Sequence, residues 1–497
     1  MRARQLPFTA LLACIEAILL SPVWALPSNS GLLPRSAVCS QIEHAISSKS
    51  GVYYHGDKLY EKGIHHWASS CEEESECVVE PGTAEDLGAV LRIIGSTRTP
   101  FAVKGGGHNG NKGFSSTTGV HISMYRFSEV SYDSSTRIAT FGSGLVWDDV
   151  YAGLAPYSVS VAGGRVSGVG VGGFSTGGGY SWYTNQYGMT IDNIIAYDLV
   201  KPDGSFAHVT EQSDPELFFA LKGGGNNFGV VTRFFMKTFP IGEVWGGVMI
   251  SLGKDEMHQL AAATAKFSAE NTDPKASIIT TFGNLLAQPT TTTLLFYDGP
   301  TPPPGLFDDF LAVSAIDRDI KTRDFLSLVT SSPSNATTGT RGTFDTLSFH
   351  ELTPGVLNAV VDEATYWGGE LFLKGGLFVA YAVEPFLPDI LTKGTYATAY
   401  PDSRSKRFLP SDIYFSWTLE TWDSDFQAAI KNTTARLVEA SVADGQTDVP
   451  YAPLYSNYAI SDVPVERMYG ENLDKLRAIR ARVDPSNVMG LTGGFRI

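Results

Sequence analysis

Basic side chains are scarce in this chain. Lysine and arginine together number 37 against 52 aspartates and glutamates, which gives a formal net charge of −15 at pH 7. Nucleic acids and anionic lipid surfaces attract proteins mainly through basic groups, so this charge disfavours both kinds of partner. We therefore expect a small-molecule partner, and neither nucleic acid nor a membrane.

Long apolar runs are also missing, except near the N-terminus. Two arginines precede the mostly apolar stretch 11–20, and Val23-Trp24-Ala25 provides the small residues that signal peptidase requires. No other apolar run approaches the roughly 20 residues of a membrane-spanning helix. The sequence predicts a signal peptide over residues 1–25 and a secreted chain from Leu26. A short uncleaved anchor is the alternative, because Glu16 interrupts the apolar stretch.

Cysteine is rare, with four residues in the whole chain. Cys14 lies in the predicted signal peptide, and Cys39, Cys71 and Cys77 remain. An odd number in an oxidising compartment predicts one disulfide and one free thiol. We predict Cys39–Cys77, since Cys77 begins an apolar strand expected beside the helix that holds Cys39; Cys39–Cys71 is the alternative. The three lack the spacing and histidine neighbours of a metal site, so no metal is predicted.

Two N-glycosylation sequons agree with secretion. They begin at Asn335 and Asn432, and each lies in a polar stretch that we expect at the surface. Both asparagines are therefore predicted to carry glycans.

Glycine, in contrast, is abundant. The chain has 51 glycines among 497 residues, above the usual share of about 7%, and many fall in three loops at 105–107, 163–179 and 223–229. Without a Cβ, these loops can adopt positive φ and bring bare N–H groups close to a ligand. Three such loops suit an elongated charged ligand such as a dinucleotide pyrophosphate. Plain turns are the alternative interpretation of any one loop alone.

The first glycine loop ends in a histidine. An apolar strand, Phe101–Val103, runs into Gly105–Gly107, and His108 follows directly. A neutral imidazole is a nucleophile, so His108 is a candidate both to contact a bound cofactor and to form a bond to it.

Further motifs follow in a fixed order along the chain: Val169–Gly173, Gly177–Tyr180, Tyr187-Gly188, Asp192-Asn193, Gly223–Gly229, Tyr455–Tyr458 and Asp484–Val488. Together with the His108 loop they resemble the berberine-bridge-enzyme-like flavoprotein oxidases of the vanillyl-alcohol-oxidase superfamily. The resemblance covers nearly all of the mature chain. It implies an α+β fold, with a two-lobed PCMH-type FAD-binding domain and an antiparallel-sheet substrate domain that carries helices on one face.

The resemblance also implies the cofactor and how it is held. The histidine after the glycines is joined in that family to the 8α-methyl group of FAD, which assigns His108 as the covalent anchor. The cofactor-binding residues carried over are His108, Gly105, Gly106, Gly107, Asn109, Val169, Gly170, Gly172, Gly173, Gly178, Gly179, Asn193 and Asn457.

Two positions in the second loop refine this expectation. Many relatives attach the flavin a second time through a cysteine three residues before the VGVGG run, where this chain has Val166. We therefore expect a single covalent link, and a small hydrophobic substrate in preference to a large sugar. Val169 falls where family oxidases place a small residue that admits O2, which favours an oxidase; a packed strand residue is the alternative.

The composition of the sequence changes near residue 244, where glycine becomes less frequent and Thr/Pro tracts appear. With the resemblance, this predicts four segments. They are a signal peptide at 1–25, the FAD-binding domain at 26–243, the substrate domain at 244–450, and a berberine-bridge-like segment at 451–497 that returns to the FAD domain.

An oxidase of this type needs a base that accepts a proton from the substrate. By resemblance we assign Tyr458, with assistance from Tyr455. An ordinary tyrosine pKa lies about three units above neutral pH, roughly 4 kcal/mol, so a neighbour has to lower that pKa or share the proton. Glu420 is the rival base, since we expect its strand, 414–420, to face the flavin.

The sequence thus predicts a secreted, monomeric FAD-linked oxidase that acts on a small organic molecule, as in secondary-metabolite biosynthesis. It transfers a hydride to covalently bound flavin and passes the electrons to O2, which gives H2O2. A carbohydrate oxidase is one alternative. A flavin-containing cyclase without net redox chemistry is the other.

Overall fold

The computed structural model describes residues 36–497. The predicted signal peptide and Cys14 lie outside the described residues. Within the described part, no helix combines the length and apolar character needed to cross a membrane.

The N-terminal lobe contains a four-stranded sheet that carries the His108 loop. Its strands, in the spatial order β1-β2-β4-β3, are β1 Gly51–Tyr53, β2 Cys77–Glu80, β3 Phe101–Lys104 and β4 Val120–Ser123. Strands β2 and β3 pair parallel to β4, so the chain must cross over between them. The crossover is the helix Ala84–Thr97, and the Thr83 hydroxyl caps it by accepting a hydrogen bond from Asp86 N.

A five-stranded antiparallel sheet forms the second lobe. Its spatial order is β5-β6-β10-β8-β9, and its strands are β5 Val130–Asp133, β6 Ile138–Gly142, β8 Ile194–Val200, β9 Phe206–Thr210 and β10 Val230–Lys237. A short pair, β7 Val159–Ser160 and β11 Phe239–Pro240, lies at its side. Residue alternation in the sequence predicts strands at 138–141 and 194–200, and β6 and β8 confirm both.

A seven-stranded antiparallel sheet follows, in the spatial order β15-β12-β14-β13-β17-β18-β16. Its strands are β12 Val244–Leu252, β13 Ala276–Leu285, β14 Gln288–Tyr297, β15 Asp317–Arg323, β16 Arg341–Phe349, β17 Gly376–Val383 and β18 Leu409–Trp417. Because side chains alternate between the faces of a strand, Tyr381 reaches the helical layer and bonds Thr433, while its neighbours Ala380 and Ala382 line a cavity on the other face.

Helices connect the strands and pack against the sheets. The α-helices are α1 Ala37–Ala45, α2 Lys58–Ile64, α3 Ala84–Thr97, α4 Trp147–Leu154, α5 Val171–Thr176, α6 Thr184–Tyr187, α7 Thr190–Asn193, α8 Pro215–Leu221, α9 Lys254–Glu270, α10 Asp308–Leu311, α11 Phe325–Thr330, α12 Pro354–Phe372, α13 Asp423–Ala443, α14 Glu466–Tyr469 and α15 Leu473–Val483. Helices α9, α12 and α13 pack on the seven-stranded sheet, and α15 packs on α8 of the second lobe. The α+β architecture predicted from the sequence is confirmed.

The disulfide prediction is also confirmed. Cys39 in α1 is bonded to Cys77 at the start of β2, with the two Cα atoms 6.2 Å apart. Cys71 is a buried free thiol. The bond links the first helix of the described chain to the sheet that supports the His108 loop.

Candidate active site

A cavity of about 510 Å³ lies between the three sheets. All three glycine loops predicted from the sequence reach it, and the inner face of the seven-stranded sheet closes the opposite side. The glycines that these loops contribute to its wall are Gly105, Gly106, Gly107, Gly170, Gly172, Gly173, Gly177, Gly225 and Gly229.

The loops approach each other too closely for side chains. A Cβ added to Gly106 would lie 2.5 Å from the Cα of Gly170, and Gly107 has a φ of +73°. A Cβ at Gly177 would lie 2.1 Å from Oδ1 of Asn457. Glycine is therefore required here both for backbone conformation and for space.

Most of the predicted cofactor-binding residues line this cavity. They are the loop Gly105–Asn109, the residues Val169, Gly170, Gly172 and Gly173, and Asn457. Three predicted residues do not reach it. Gly178 packs against Tyr400 and Tyr455, and the N–H of Gly179 donates to the Tyr455 hydroxyl.

Asn193 is the third predicted residue that does not line the cavity. Its side-chain amide donates to the carbonyls of Tyr187 and Met189, both at 3.0 Å. These bonds close the turn before β8, so Asn193, like Gly178 and Gly179, shapes the loop behind the cavity wall. Direct contact of these three residues with the cofactor stays a prediction, since they do not line the cavity.

His108 faces the cavity as a neutral imidazole. Burial alone lowers its pKa to about 4, because desolvation disfavours the charged ring. Its ring stacks on Trp67 with the centroids 4.6 Å apart. A neutral ring keeps one nitrogen lone pair available, as a nucleophile requires.

Lys104 anchors the same loop from behind. Its side chain is fully buried, and Nζ donates to the carbonyl of His65 at 2.8 Å and to the hydroxyl of Tyr125 at 2.7 Å. Burial lowers the pKa of Lys104 to about 7. Its stem lies against Gly107, where an added Cβ would make a tight contact with Lys104 Cδ at 3.2 Å.

Three residues that are distant in sequence form a polar cluster in the wall of the same cavity. Arg165 donates from Nη2 to Glu384 Oε1 at 2.7 Å and to the Tyr458 hydroxyl at 2.9 Å. Tyr458 in turn donates to the same Glu384 oxygen at 3.0 Å. Burial, and then the charge of Glu384, raise the pKa of Tyr458 well above its ordinary value. The phenol is thus not activated by a lowered pKa; it shares its proton with a carboxylate.

A second carboxylate, Asp412, lies beside this cluster. Burial, and then the charge of Glu384, raise the pKa of Asp412 to about 8, although Arg165 opposes the shift. Within residues 36–497, neither Asp412 Oδ1 nor Glu384 Oε2 has a hydrogen-bond partner. Because unpaired buried polar atoms are costly, these two oxygens are candidate contacts for a ligand.

Tyr455 and Asn457 hold the cluster in place. The Tyr455 hydroxyl accepts bonds from Gly179 N at 3.0 Å and from Asn457 Nδ2 at 2.7 Å. Its ring meets that of Tyr458 edge to face, with centroids 4.8 Å apart. Tyr455 therefore positions Tyr458. This contact is consistent with the assisting role predicted for Tyr455.

Glu420 does not belong to the site. Strand β18 ends at Trp417, three residues before Glu420, which begins an exposed single-turn 3₁₀-helix. The prediction of Glu420 as the base is therefore wrong. The strand itself does face the cavity, but its carboxylate there is Asp412, nearer to its N-terminal end.

Sequence reasoning missed Arg165, Glu384, Asp412 and Trp67. The only local signal for Arg165 is its position before Val166 in the second glycine loop. The only local signal for Asp412 is its position in an alternating strand. Glu384 follows β17 without any motif around it. Val166 and Val169 both line the cavity, as their predicted roles require.

Family profiles match two parts of the chain. One, described as an FAD binding domain, matches residues 75–210, and one described as berberine and berberine like matches residues 454–492. The chain is 31% identical over 453 residues to an uncharacterized FAD-linked oxidoreductase of Arthroderma benhamiae, covering 87% of this chain and 89% of that protein. It is 29% identical over 497 residues to the FAD-dependent monooxygenase drtC of Aspergillus calidoustus, covering 95% and 92%.

Solved structures share the fold at low identity. The wild-type BBE-like 1 protein of Physcomitrella patens superposes with a TM-score of 0.74 at 16% identity, covering 91% of this chain and 97% of that one. A carbohydrate oxidase of Microdochium nivale gives a TM-score of 0.74 at 18% identity, covering 93% and 99%.

The fold and the glycine-lined cavity define a flavoprotein oxidoreductase that uses FAD. The chain belongs to the berberine-bridge-enzyme-like family of FAD-linked oxidoreductases.

The residues present fit FAD. Three glycine loops present backbone to the cavity, and Gly173 has open space where a Cβ would stand. The Ser143 hydroxyl in the same wall is buried and has no partner among the described residues. FAD supplies hydride acceptance when bound, and the protein supplies orientation and electrostatics.

Proposed function

We propose that this enzyme is a secreted oxidase of a small, largely apolar organic molecule, with FAD joined to His108 and O2 as the electron acceptor. The observation that carries the proposal is the combination of a neutral His108 and the Arg165–Glu384–Tyr458 cluster in one cavity. The imidazole is placed to bond the cofactor. The phenol–carboxylate pair is placed to accept a proton from a substrate bound in the same cavity.

The redox balance is simple. The substrate loses a hydride and a proton, which together are two electrons and two hydrogens, and O2 takes up both electrons and two protons as H2O2. A link at His108 would replace the imidazole N–H bond and a C–H bond of the 8α-methyl group by one C–N bond. It releases two protons and two electrons, for which O2 is again the acceptor. Val166 offers no thiol for a second link.

Tyr458 and Glu384 provide the route for the substrate proton. As the phenol accepts the substrate proton, its own proton can pass to Glu384 Oε1, to which it is already hydrogen-bonded at 3.0 Å. Arg165 stays paired with that carboxylate and fixes its orientation. A hydrogen-bonded pair of this kind avoids forming a free phenolate, which the raised pKa of Tyr458 disfavours.

The walls of the cavity support a small apolar substrate. Aliphatic and aromatic side chains from the seven-stranded sheet dominate the inner face: Ile250, Ile279, Leu285, Leu294, Phe344, Phe378 and Tyr414. A mostly apolar pocket with a few convergent polar groups is the usual form of a small-molecule site. A secondary metabolite such as a polyketide has this character.

A carbohydrate oxidase is the second candidate. Thr281, Thr290 and Thr292 also line the cavity and add hydroxyl groups that a sugar could bond. The solved carbohydrate oxidase with the same fold keeps this candidate open.

The test is to supply the secreted protein with panels of apolar alcohols, phenols and sugars while measuring O2 consumption, H2O2 release and loss of flavin absorbance. We expect all three signals with an apolar hydroxylated compound. Signals with sugars alone would favour the carbohydrate oxidase. Product formation without O2 consumption or flavin bleaching would favour a cyclase without net redox chemistry and overturn the proposal.

Asp412 makes the activity depend on pH. Its pKa of about 8, raised from 3.8, means that the carboxyl is neutral below pH 8 and ionised above it. The ionised form adds a negative charge beside the Arg165–Glu384–Tyr458 cluster, which stabilises the proton that the cluster takes up from the substrate. We expect kcat/KM to rise with pH to a plateau above about pH 8, and Asp412→Asn to remove this step from the pH profile.

The stability of the same variant provides an independent check. Because the folded protein holds the Asp412 proton that the unfolded chain releases above pH 3.8, this residue lowers stability progressively as pH rises from about 4 to about 8. Asp412→Asn should therefore gain stability relative to wild type over that window. An unchanged pH profile of both activity and stability would contradict the shifted pKa.

Secretion and glycosylation complete the proposal. Asn335 and Asn432 are both exposed, Asn335 in the loop before β16 and Asn432 on α13, so a glycan can be accommodated at each. Mass loss on enzymatic deglycosylation of the secreted protein would test this. We propose that the enzyme acts as a monomer.

A further inference from the structure

Trp67 joins the His108 loop to the seven-stranded sheet. Its main-chain N–H donates to the carbonyl of Gly107, the residue before His108, at 3.0 Å, and its own carbonyl accepts from Gly339 N at 2.9 Å. The indole Nε1 donates to the carbonyl of Ser334 at 3.2 Å. One residue is thus fixed by three hydrogen bonds to two separate parts of the chain.

The indole ring lies against the imidazole of His108. The two rings are stacked, with centroids 4.6 Å apart and planes inclined by 27°. The indole also stacks with Phe344 at 5.7 Å and contacts Tyr414 at 5.0 Å. Such offset aromatic contacts fix the relative orientation of rings. The indole is held by the sheet and in turn holds the imidazole.

His108 has little else to fix its ring. Its pKa shift has burial as its one cause, without a contribution from any hydrogen bond, and no hydrogen bond to its ring nitrogens occurs among the described residues. Rotation about χ2 of histidine is intrinsically broad, so an unsupported imidazole samples many orientations. The preceding glycines add backbone freedom. The Trp67 stack is the contact that defines the ring plane.

We propose that Trp67 is the positioning residue for flavin attachment: its indole orients the His108 imidazole and keeps water from that face, so that the nitrogen meets the cofactor in a reactive geometry. This inference rests on the proposed covalent link to His108. A reacting group misplaced by about 1 Å can lose up to about 100-fold in rate. Loss of the stack therefore affects attachment more than it affects folding.

The test compares flavin attachment in variants of the secreted holoprotein. Each protein is denatured in acid, and flavin in the pellet is divided by flavin in the supernatant. We expect Trp67→Leu and Trp67→Met to lower this ratio roughly tenfold or more, because both remove the flat ring. Trp67→Phe, which retains a stacking face but not the indole N–H, should recover most of the wild-type ratio.

Trp245→Leu is the matched control. Trp245 is also partly buried and stacked, on Phe307 at 5.2 Å, and it does not line the cavity. We expect this variant to lower the melting temperature without changing the attachment ratio. Trp67→Met is the variant to rely on if Trp67→Leu does not fold.

The outcomes separate the two proposals. Wild-type protein that releases all its flavin in acid overturns the covalent link itself. Wild-type protein that retains flavin, with a ratio that Trp67→Met leaves unchanged, overturns the role of Trp67 alone. A ratio lowered equally by Trp67→Met and by Trp245→Leu would show a general effect of destabilisation and also overturn it.

Discussion

Replacing His108 by alanine is expected to move the flavin from the pellet to the supernatant when the secreted protein is denatured in acid. His108 is the neutral nucleophile in the cofactor cavity, and alanine cannot form the bond. Mass analysis of tryptic peptides from wild-type protein should find flavin on the peptide that contains His108 and on no other. Since a histidyl bond withdraws electron density, the flavin potential and the turnover of His108→Ala should both be lower.

His258→Ala is the control for this experiment. His258 lies on α9 and does not line the cavity, and its ring pairs with Asn358. This variant should retain its flavin in the pellet. Flavin that stays with the protein in His108→Ala, or that maps to a different peptide in wild type, would falsify the single histidyl link.

Tyr458→Phe is expected to reduce kcat by roughly 10²- to 10⁴-fold, the range that a positioned proton acceptor contributes. The change removes one hydroxyl, which donates to Glu384 and accepts from Arg165, and leaves the aromatic ring and its contact with Tyr455. Flavin attachment should stay at the wild-type level because the hydroxyl is hydrogen-bonded to Glu384 and Arg165 and not to His108. The measurement is the rate of flavin bleaching after anaerobic mixing with substrate.

Tyr381→Phe is the matched control for the loss of a buried phenol. The Tyr381 hydroxyl is hydrogen-bonded to Thr433 on the helical side of the sheet, outside the cavity wall. This variant should keep the wild-type bleaching rate. If Tyr458→Phe also bleaches at the wild-type rate while Asp412→Asn does not, Asp412 is the proton acceptor and the assignment of Tyr458 fails.

Local signals in the sequence predicted much of the fold. The capping pattern at Thr83, the Asp214-Pro215 helix start and the strand alternation at 194–200 each depend on residues a few positions apart. The spacing of Leu473, Leu476, Ile479 and Val483 predicts a helix from Gly470, but the helix begins at Leu473 because Gly470–Asn472 form a separate 3₁₀ turn. Boundaries of this kind depend on packing at the ends of an element.

The error at Glu420 also arises at the end of an element, where pairing with a neighbouring strand decides the boundary. The sequence alternates through the end of β18, but the strand stops at Trp417, where its neighbour β16 begins with Arg341 and offers no further partner. Beyond that point the chain turns outward and Glu420 becomes exposed. Alternation predicted the strand correctly. The length of its partner β16 decided where β18 ends, so Asp412 faces the cavity and Glu420 does not.

The sequence by itself determined the family, the cofactor, the glycine loops and the position of His108, because each depends on short motifs whose chemistry is local. The tertiary structure alone decided the proton-transfer cluster. Arg165 and Glu384 are 219 residues apart in sequence, and Arg165 and Tyr458 are 293 apart. Their contact, and the burial that shifts the pKa values of Tyr458 and Asp412, exist only when the three sheets close around one cavity.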